Sequence, residues 1–452
     1  MTGPRAGKHC NRRGSCFATW ASRAPRDESM ELVSDYEAYE QQIRLIKQLK
    51  SEGATKAKLR SAAATLAELK RRGKSRTNVK SHETIPPGQS SEDFLKIYRE
   101  HFHIIPTDED GFTVSFVLSS GDLKQDTEEE ARARVFFDQF GFVVFRDVID
   151  SSSCENSQQE IWKFLEKKHA GFQRSLPETY HNLSSQTYGL ASEQAIFSTQ
   201  IVLNRSNAKV LEAFRLLLED EDILVSHDRW CVYRPTRNIL FKGGHRDMKQ
   251  WKTKENLHLD LNPWTYFSDA MPLEDLTYET LRDFSKEING VTRETGPHVQ
   301  GVLALNDNTL NDGGTVLIAG FHKCFHKWVG SLGPMATHIH PGSVDSGHLV
   351  WRGRGSGSYI FAPNDPLHNF KQRVTMRSGS FLIWDQRVAH GSAQNNSNNF
   401  RIAQFIKAFR RQPVGKTRLC KRAKRLNAEI ERNQCFIDYR IDGSTRRALG
   451  LS

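Results

Sequence analysis

The sequence predicts a mainly β domain with flanking helices, preceded by a small α-helical hairpin. Short apolar runs with strand-like alternation recur beyond residue 140, separated by Gly- and Asn-rich turns. Before residue 75 the apolar residues recur at helical spacing instead. One strand-like run, Leu257-His258-Leu259-Asp260-Leu261, sets two metal-ligand types on one side and leucines on the other.

A chain of 452 residues has room for two or three domains and a large core. No apolar run is long enough for a membrane span, so no membrane partner is expected. The seven Cys form no CxxC pair, which argues for a reducing compartment and against a disulfide scaffold or a zinc ribbon. Charge is unevenly placed. Residues 1–80 hold 18 Lys/Arg against 8 Asp/Glu, a net +10, whereas the other 46 basic and 45 acidic residues nearly cancel.

Residues 1–30 read as a leader rich in Arg, Ser, Ala and Gly, with no acid before Asp27. It is either disordered or a mitochondrial-type transit peptide, and Met30 offers an alternative start. A cytoplasmic location is expected, or a mitochondrial one if the leader is a transit peptide. Residues 31–75 form the hairpin, with helices over 35–50 and 56–72 on either side of Ser51-Glu52-Gly53. Tyr39, Ile43, Ile46 and Leu49 line one helix; Leu59, Ala62, Ala63, Leu66 and Leu69 line the other. Lys and Arg cover the outer face, which suits nucleic acid or a solvated surface with no ligand. Residues 76–130 read as a linker and N-terminal extension, with globular composition from Phe94 on.

Residues 131–452 form the main domain. Its first part, 131–150, predicts a helix, a Gly stop and a strand, followed by a helix near 158–168. Strands are expected at 230–234, 257–261, 299–305, 315–319, 380–385 and 401–408, a pattern for a sandwich or barrel. The acidic insertion 272–290 is a candidate lid or an ornament.

An imidazole and a carboxylate buried side by side cost several kcal/mol unless something ties them together, roughly as transfer data indicate. A divalent metal does so. His390, in Trp384-Asp385-Gln386-Arg387-Val388-Ala389-His390-Gly391, supplies a second imidazole, and Arg401 follows it. Two His and one carboxylate with open positions make the facial triad of non-haem Fe(II) oxygenases. His245-Arg246-Asp247 is a rival for two of the ligands, but without alternating apolar neighbours it is assigned to a surface loop. The Arg401 fork suits the distal carboxylate of 2-oxoglutarate; the alternative is an internal salt bridge with Asp385. Ser392 either donates to the same carboxylate or is a turn serine. Gln300 and Trp264 either line the cavity or are, respectively, a polar strand residue and a core aromatic. His322 to His326 and His338-Ile339-His340 have metal-like spacing without a second ligand pair, and 418–432 reads as a solvated basic helix.

Residues 43–56 together with 66–70 resemble the WHEP module appended to aminoacyl-tRNA synthetases, which implies a helix-turn-helix at 35–72 that engages tRNA or other RNA or tethers a protein partner. The pieces His258-Leu259-Asp260-Leu261-Asn262-Pro263-Trp264, Gly313-Gly314-Thr315 through Gly320-Phe321-His322-Lys323, Ile383 through Gly391 and Arg401-Ile402-Ala403-Gln404 resemble the phytanoyl-CoA dioxygenase family. The second resemblance implies a double-stranded β-helix (jelly roll) with Fe(II) on His258, Asp260 and His390 and with 2-oxoglutarate anchored by Arg401. It further implies use of O2, release of succinate and CO2, and hydroxylation of an aliphatic C–H bond in a small molecule. The alternatives are the same chemistry on RNA or a translation component, and a non-catalytic jelly-roll binding module.

Overall fold

A computed structural model describes chiefly residues 91–119, 127–183, 197–253, 255–261, 299–332, 359–411, 416–435 and 442–452. It also describes isolated positions between 41 and 65 and short pieces at 190–191, 287–288 and 291–292. The chain divides into two compact units, Met1–Asn78 and Val79–Ser452. In the first, the described positions at 41–42, 45, 48–49 and 51, and at 58–59, 61–62 and 64–65, are helical. Gln42 Nε2 donates to the Ala62 carbonyl at 2.9 Å, and Ala62 is buried. The rest of the expected hairpin lies outside the described residues. So do the leader, nearly all of 272–290, Trp264 and His338-Ile339-His340.

Two facing sheets make up the second unit. The larger contains β1 (Phe142–Arg146), β2 (Trp230–Tyr233), β4 (Val299–Ala304), β7 (Phe381–Asp385) and β9 (Arg401–Arg410), in the order β1-β7-β4-β9-β2. The smaller runs from Tyr359–Ile360 through β3 (His258–Leu259), β8 (His390–Ala393) and β5 (Gly314–Leu317) to β6 (Gln372–Arg373). From β2 onward the chain passes between the sheets, with β3, β5, β6 and β8 in the smaller and β4, β7 and β9 in the larger. That is the alternation of a jelly roll.

Period-two alternation decides what each face meets. On the larger sheet Val143, Phe145, Phe381, Ile383, Leu303, Ile402 and Ile406 point outward, beneath helices α2 (Glu128–Phe140), α3 (Ser151–Lys168) and α4 (Ala208–Leu218). Val144, Leu382, Val302 and Ala403 point inward and meet Leu317 and Val374 between the sheets. Leu257, Leu259 and Leu261 pack outward from the smaller sheet on α1 (Ser91–Tyr98) and α5 (Phe321–Ser331), through Phe94, Phe325 and Trp328. A fully buried large apolar side chain stabilises by about 1.5–3 kcal/mol, against roughly 0–1 kcal/mol for an exposed ion pair. The three clusters therefore hold the sheets in place.

Local chemistry sets the element ends. Thr127 and Glu130 form a capping box at the start of α2, and the chain leaves the helix at Gly141. Helix α3 begins seven residues before the expected position because Asp150 caps it, accepting from Ser153 N at 2.7 Å. Its serine-rich first turn hides the helical pattern. The segment at His245 is not a loop. Ile239–Phe241 and Gly244–Arg246 pair as a hairpin, and its turn is Lys242-Gly243, both with positive φ. His245 and Asp247 are nonetheless exposed. The basic tail forms a helix, Lys416–Arg432, that buries Leu426 against the outer core and is not solvated all round.

Candidate active site

The backbone of β3 sends the leucines to the outer cluster and turns His258 and Asp260 inward. His258 is the cross-strand partner of His390 on β8, so the two imidazoles meet with ring centroids 4.5 Å apart. His258 Nε2 lies 3.5 Å from Asp260 Oδ1, and His390 Nε2 lies 4.0 Å from Asp260 Oδ2. The three residues each offer one ligand atom, all within 4.8 Å of one another. This donor set fits a divalent metal and leaves coordination positions open.

The ligands are held from behind. His390 Nδ1 lies 2.9 Å from the Val388 carbonyl, which can only accept, so the proton sits on Nδ1 and Nε2 keeps its lone pair. Gln386 Nε2 donates to the Asp260 carbonyl at 3.2 Å. Asp385, buried, takes a two-pronged bond from Arg387 at 3.0 and 2.6 Å, which fixes the turn into β8. The Asp385 carboxylate is therefore engaged by Arg387, not Arg401. At Gly391 any side chain would collide with the Asn256 backbone, whose Oδ1 accepts from Ser392 N at 2.9 Å.

Arg401 lies buried at the opposite end of the inter-sheet space. Its Nη1 contacts Cys231 Sγ at 2.9 Å, its guanidinium stands 5.1 Å from the Tyr233 ring, and no carboxylate among the described residues pairs with it. Gly314, at φ +112, makes the room: a Cβ there would stand 3.0 Å from Arg401 Nε. A second guanidinium, Arg373 on β6, reaches the same place. It donates to the carbonyls of Thr315 at 2.6 Å, Thr309 at 3.1 Å and Gly313 at 2.5 Å. Burial, and then the neighbouring Arg401 charge, push the Arg373 pKa down to about 9. A buried guanidinium whose neighbour is a half-buried one fits an anion such as the distal carboxylate of 2-oxoglutarate. Ser392 is in β8, not in a turn, and its buried hydroxyl lies within reach of the Tyr233 phenol.

Burial also governs the imidazoles. Burial, and then the nearby His258, push the His390 pKa down to about 3. Although burial opposes ionisation of Asp260, Lys407 and His258 hold its carboxyl well below the usual range. Near neutral pH the site therefore presents a neutral imidazole and a carboxylate. Sequence reasoning missed Lys407, whose Nζ stands 2.9 Å from Asp260 Oδ2, and also Arg373 and Asn256. Lys407 had one available signal, since it lies an even number of residues along the strand from Arg401.

His322, in the grouping that lacked a second ligand pair, lies in α5 with Nε2 2.8 Å from the Asp138 carbonyl. Burial, opposed in part by Asp385, lowers its pKa to about 4 from an ordinary value of 6.5. Between those values the unfolded chain binds the proton that the folded chain refuses, so stability falls as pH drops from 6.5 toward 4. At pH 4.5 this residue alone should remove about 2 kcal/mol relative to pH 7. Denaturant titrations at the two pH values should show a smaller loss in His322→Asn than in the parent.

A family model described as Phytanoyl-CoA dioxygenase (PhyH) matches residues 137–403. A Dictyostelium discoideum protein bearing the phytanoyl-CoA dioxygenase name is 33% identical over 327 residues, covering 70% of this chain and 86% of that protein. Among solved structures, HygX from Streptomyces hygroscopicus with nickel and 2-oxoglutarate bound is similar at 16% identity and a TM-score of 0.36, over 64% of this chain and 88% of that one. EctD from S. alaskensis with 2-oxoglutarate and 5-hydroxyectoine is similar at 14% identity and a TM-score of 0.36, over 68% and 86%. No helix among the described residues is long and apolar enough to cross a membrane.

Proposed function

The chain belongs to the phytanoyl-CoA dioxygenase family and is a 2-oxoglutarate-dependent oxygenase using Fe(II), 2-oxoglutarate and O2; from that premise we propose that it hydroxylates an aliphatic C–H bond of a small molecule, acyl or amino-acid-like, releasing succinate and CO2. In this reading His258, Asp260 and His390 hold the iron, and Arg401 with Ser392 takes the distal carboxylate of the keto acid. Iron and keto acid, once bound, supply the oxidising chemistry. The protein supplies placement. The Val388 carbonyl keeps the His390 proton on Nδ1, so Nε2 stays a ligand. Arg401, with Arg373 behind it, orients the co-substrate along the inter-sheet space. Trp384, its ring centroid 5.1 Å from that of His390, covers one side of the metal ligands against water.

The observation carrying this reading is the close His258, Asp260 and His390 cluster, facing the same inter-sheet space as a buried guanidinium that no described carboxylate neutralises. Anaerobic titration should show Fe(II) binding, then 2-oxoglutarate binding that depends on it. A metabolite screen should then find compounds that stimulate succinate release. Failure of the wild-type chain to bind either Fe(II) or 2-oxoglutarate would overturn the reading.

A second reading directs the same chemistry at RNA or a translation component, delivered by a WHEP-like hairpin at residues 35–72. It is favoured by the net +10 of residues 1–80 against the near-neutral remainder. It requires salt-dependent tRNA affinity that is lost on deleting residues 1–80. Unchanged affinity after the deletion would exclude it.

A further inference from the structure

A transverse row of side chains crosses the inner face of the larger sheet beside the metal ligands. Register pairs Phe142 with Trp384, Trp384 with Gln300, and Gln300 with Lys407. Residues paired across neighbouring strands point to the same face, so the last three form a strip of nitrogen donors spaced about 5 Å apart. Gln300 and Trp384 are 2% and 4% exposed, and neither Gln300 Nε2 nor Trp384 Nε1 finds a hydrogen-bond partner among the described residues. A buried donor without an acceptor costs about 1–3 kcal/mol, and two in adjacent register positions point to an acceptor that arrives from outside. Lys407 completes the strip with the ammonium that meets Asp260 Oδ2 at 2.9 Å.

We propose that Trp384, Gln300 and Lys407 form the subsite that binds the primary substrate through a carboxylate group. The inference rests on the oxygenase reading above and adds the substrate class. The strip offers donors and a single cation, which matches one negative charge better than a phosphate carrying nearly two. Lys407 is an ammonium with three donors, one of which meets Asp260.

The co-substrate's own carboxylate is the competing occupant, and the geometry disfavours it. Arg401 and Lys407 share the inner face of β9 with Ala403 and Phe405 but are six residues apart, about 20 Å along the strand. A five-carbon keto acid spanning from the metal to Arg401 runs away from Lys407. The row just inside the strip, Val144, Leu382, Val302 and Phe405, is apolar and divides the two polar poles.

The test uses the full chain loaded with Ni(II), which permits binding without turnover. Calorimetry measures 2-oxoglutarate affinity in the parent and in Lys407→Met, Gln300→Leu and Arg401→Gln. On the Ni(II)/2-oxoglutarate complex it then measures hexanoate and benzoate beside hexanamide and benzamide. The parent should prefer each acid to its amide. Lys407→Met and Gln300→Leu should weaken acid binding about tenfold or more, while 2-oxoglutarate affinity stays within about threefold. Gln300→Leu serves even where loss of the lysine harms folding. An absent acid preference, or one retained in both variants, overturns the proposal. So does a matching loss of 2-oxoglutarate affinity, which would assign the strip to the co-substrate. If the parent binds neither Ni(II) nor 2-oxoglutarate, the oxygenase site itself fails, a result distinct from loss of acid preference alone.

Discussion

Alanine at position 258 or 260 should abolish substrate-stimulated succinate release and weaken Fe(II) binding by at least on the order of a hundredfold. With only three protein ligands, loss of any one leaves two donors, and even the groups behind such ligands are worth about 10–100-fold in metal affinity. The two variants should differ in stability. His258→Ala leaves Asp260 paired with Lys407, so unfolding free energy should change little beyond the lost packing. Asp260→Ala removes the carboxylate that meets an ammonium 20% exposed, which should cost a few kcal/mol, nearer the lower end of the range for a broken buried pair. Anaerobic calorimetry reads the first effect and denaturant unfolding the second. Turnover retained in both variants would reject the site and move attention to His245 and Asp247.

Arg401→Gln should raise KM for 2-oxoglutarate by about a hundredfold with a smaller change in kcat. A charged, two-pronged bond to a carboxylate contributes about 1.5–3 kcal/mol, and the glutamine amide replaces only part of it. Arg401→Lys should recover a fraction, because a single ammonium cannot make two parallel bonds. Removing the Arg401 charge also relieves Arg373, whose pKa it lowers, so the variant should melt no lower than the parent. Steady-state kinetics together with melting curves separate this from general damage. Low melting with an unchanged KM would mean that Arg401 is structural.

The sequence made much of this site legible because its parts obey short-range rules. His258 and Asp260 are two apart in a leucine-lined strand, and Arg401 opens an alternating strand, so period-two reasoning placed all three inside. His390 followed an apolar run that became β7 and the turn into β8. What stayed hidden depends on register, which no single segment encodes. Gln300 looked like a polar strand residue until pairing set it between Trp384 and Lys407. Arg373 occupies a two-residue strand with no pattern of its own, and its role comes from carbonyls more than fifty residues away. The hairpin at His245 was missed because its turn, Lys242-Gly243, places a lysine at positive φ where asparagine or aspartate is the usual sign.

Strand β9 acts as a ruler. It carries the co-substrate's arginine and the proposed substrate's lysine on one face, and their separation is fixed by a residue count. A single-residue insertion or deletion between 401 and 407 would swing the lysine under the helices while the arginine stayed in place. With the subsite proposed above, descendants of this gene can change which substrate they accept by point substitution at 300, 384 or 407, but not by changing the length of this strand.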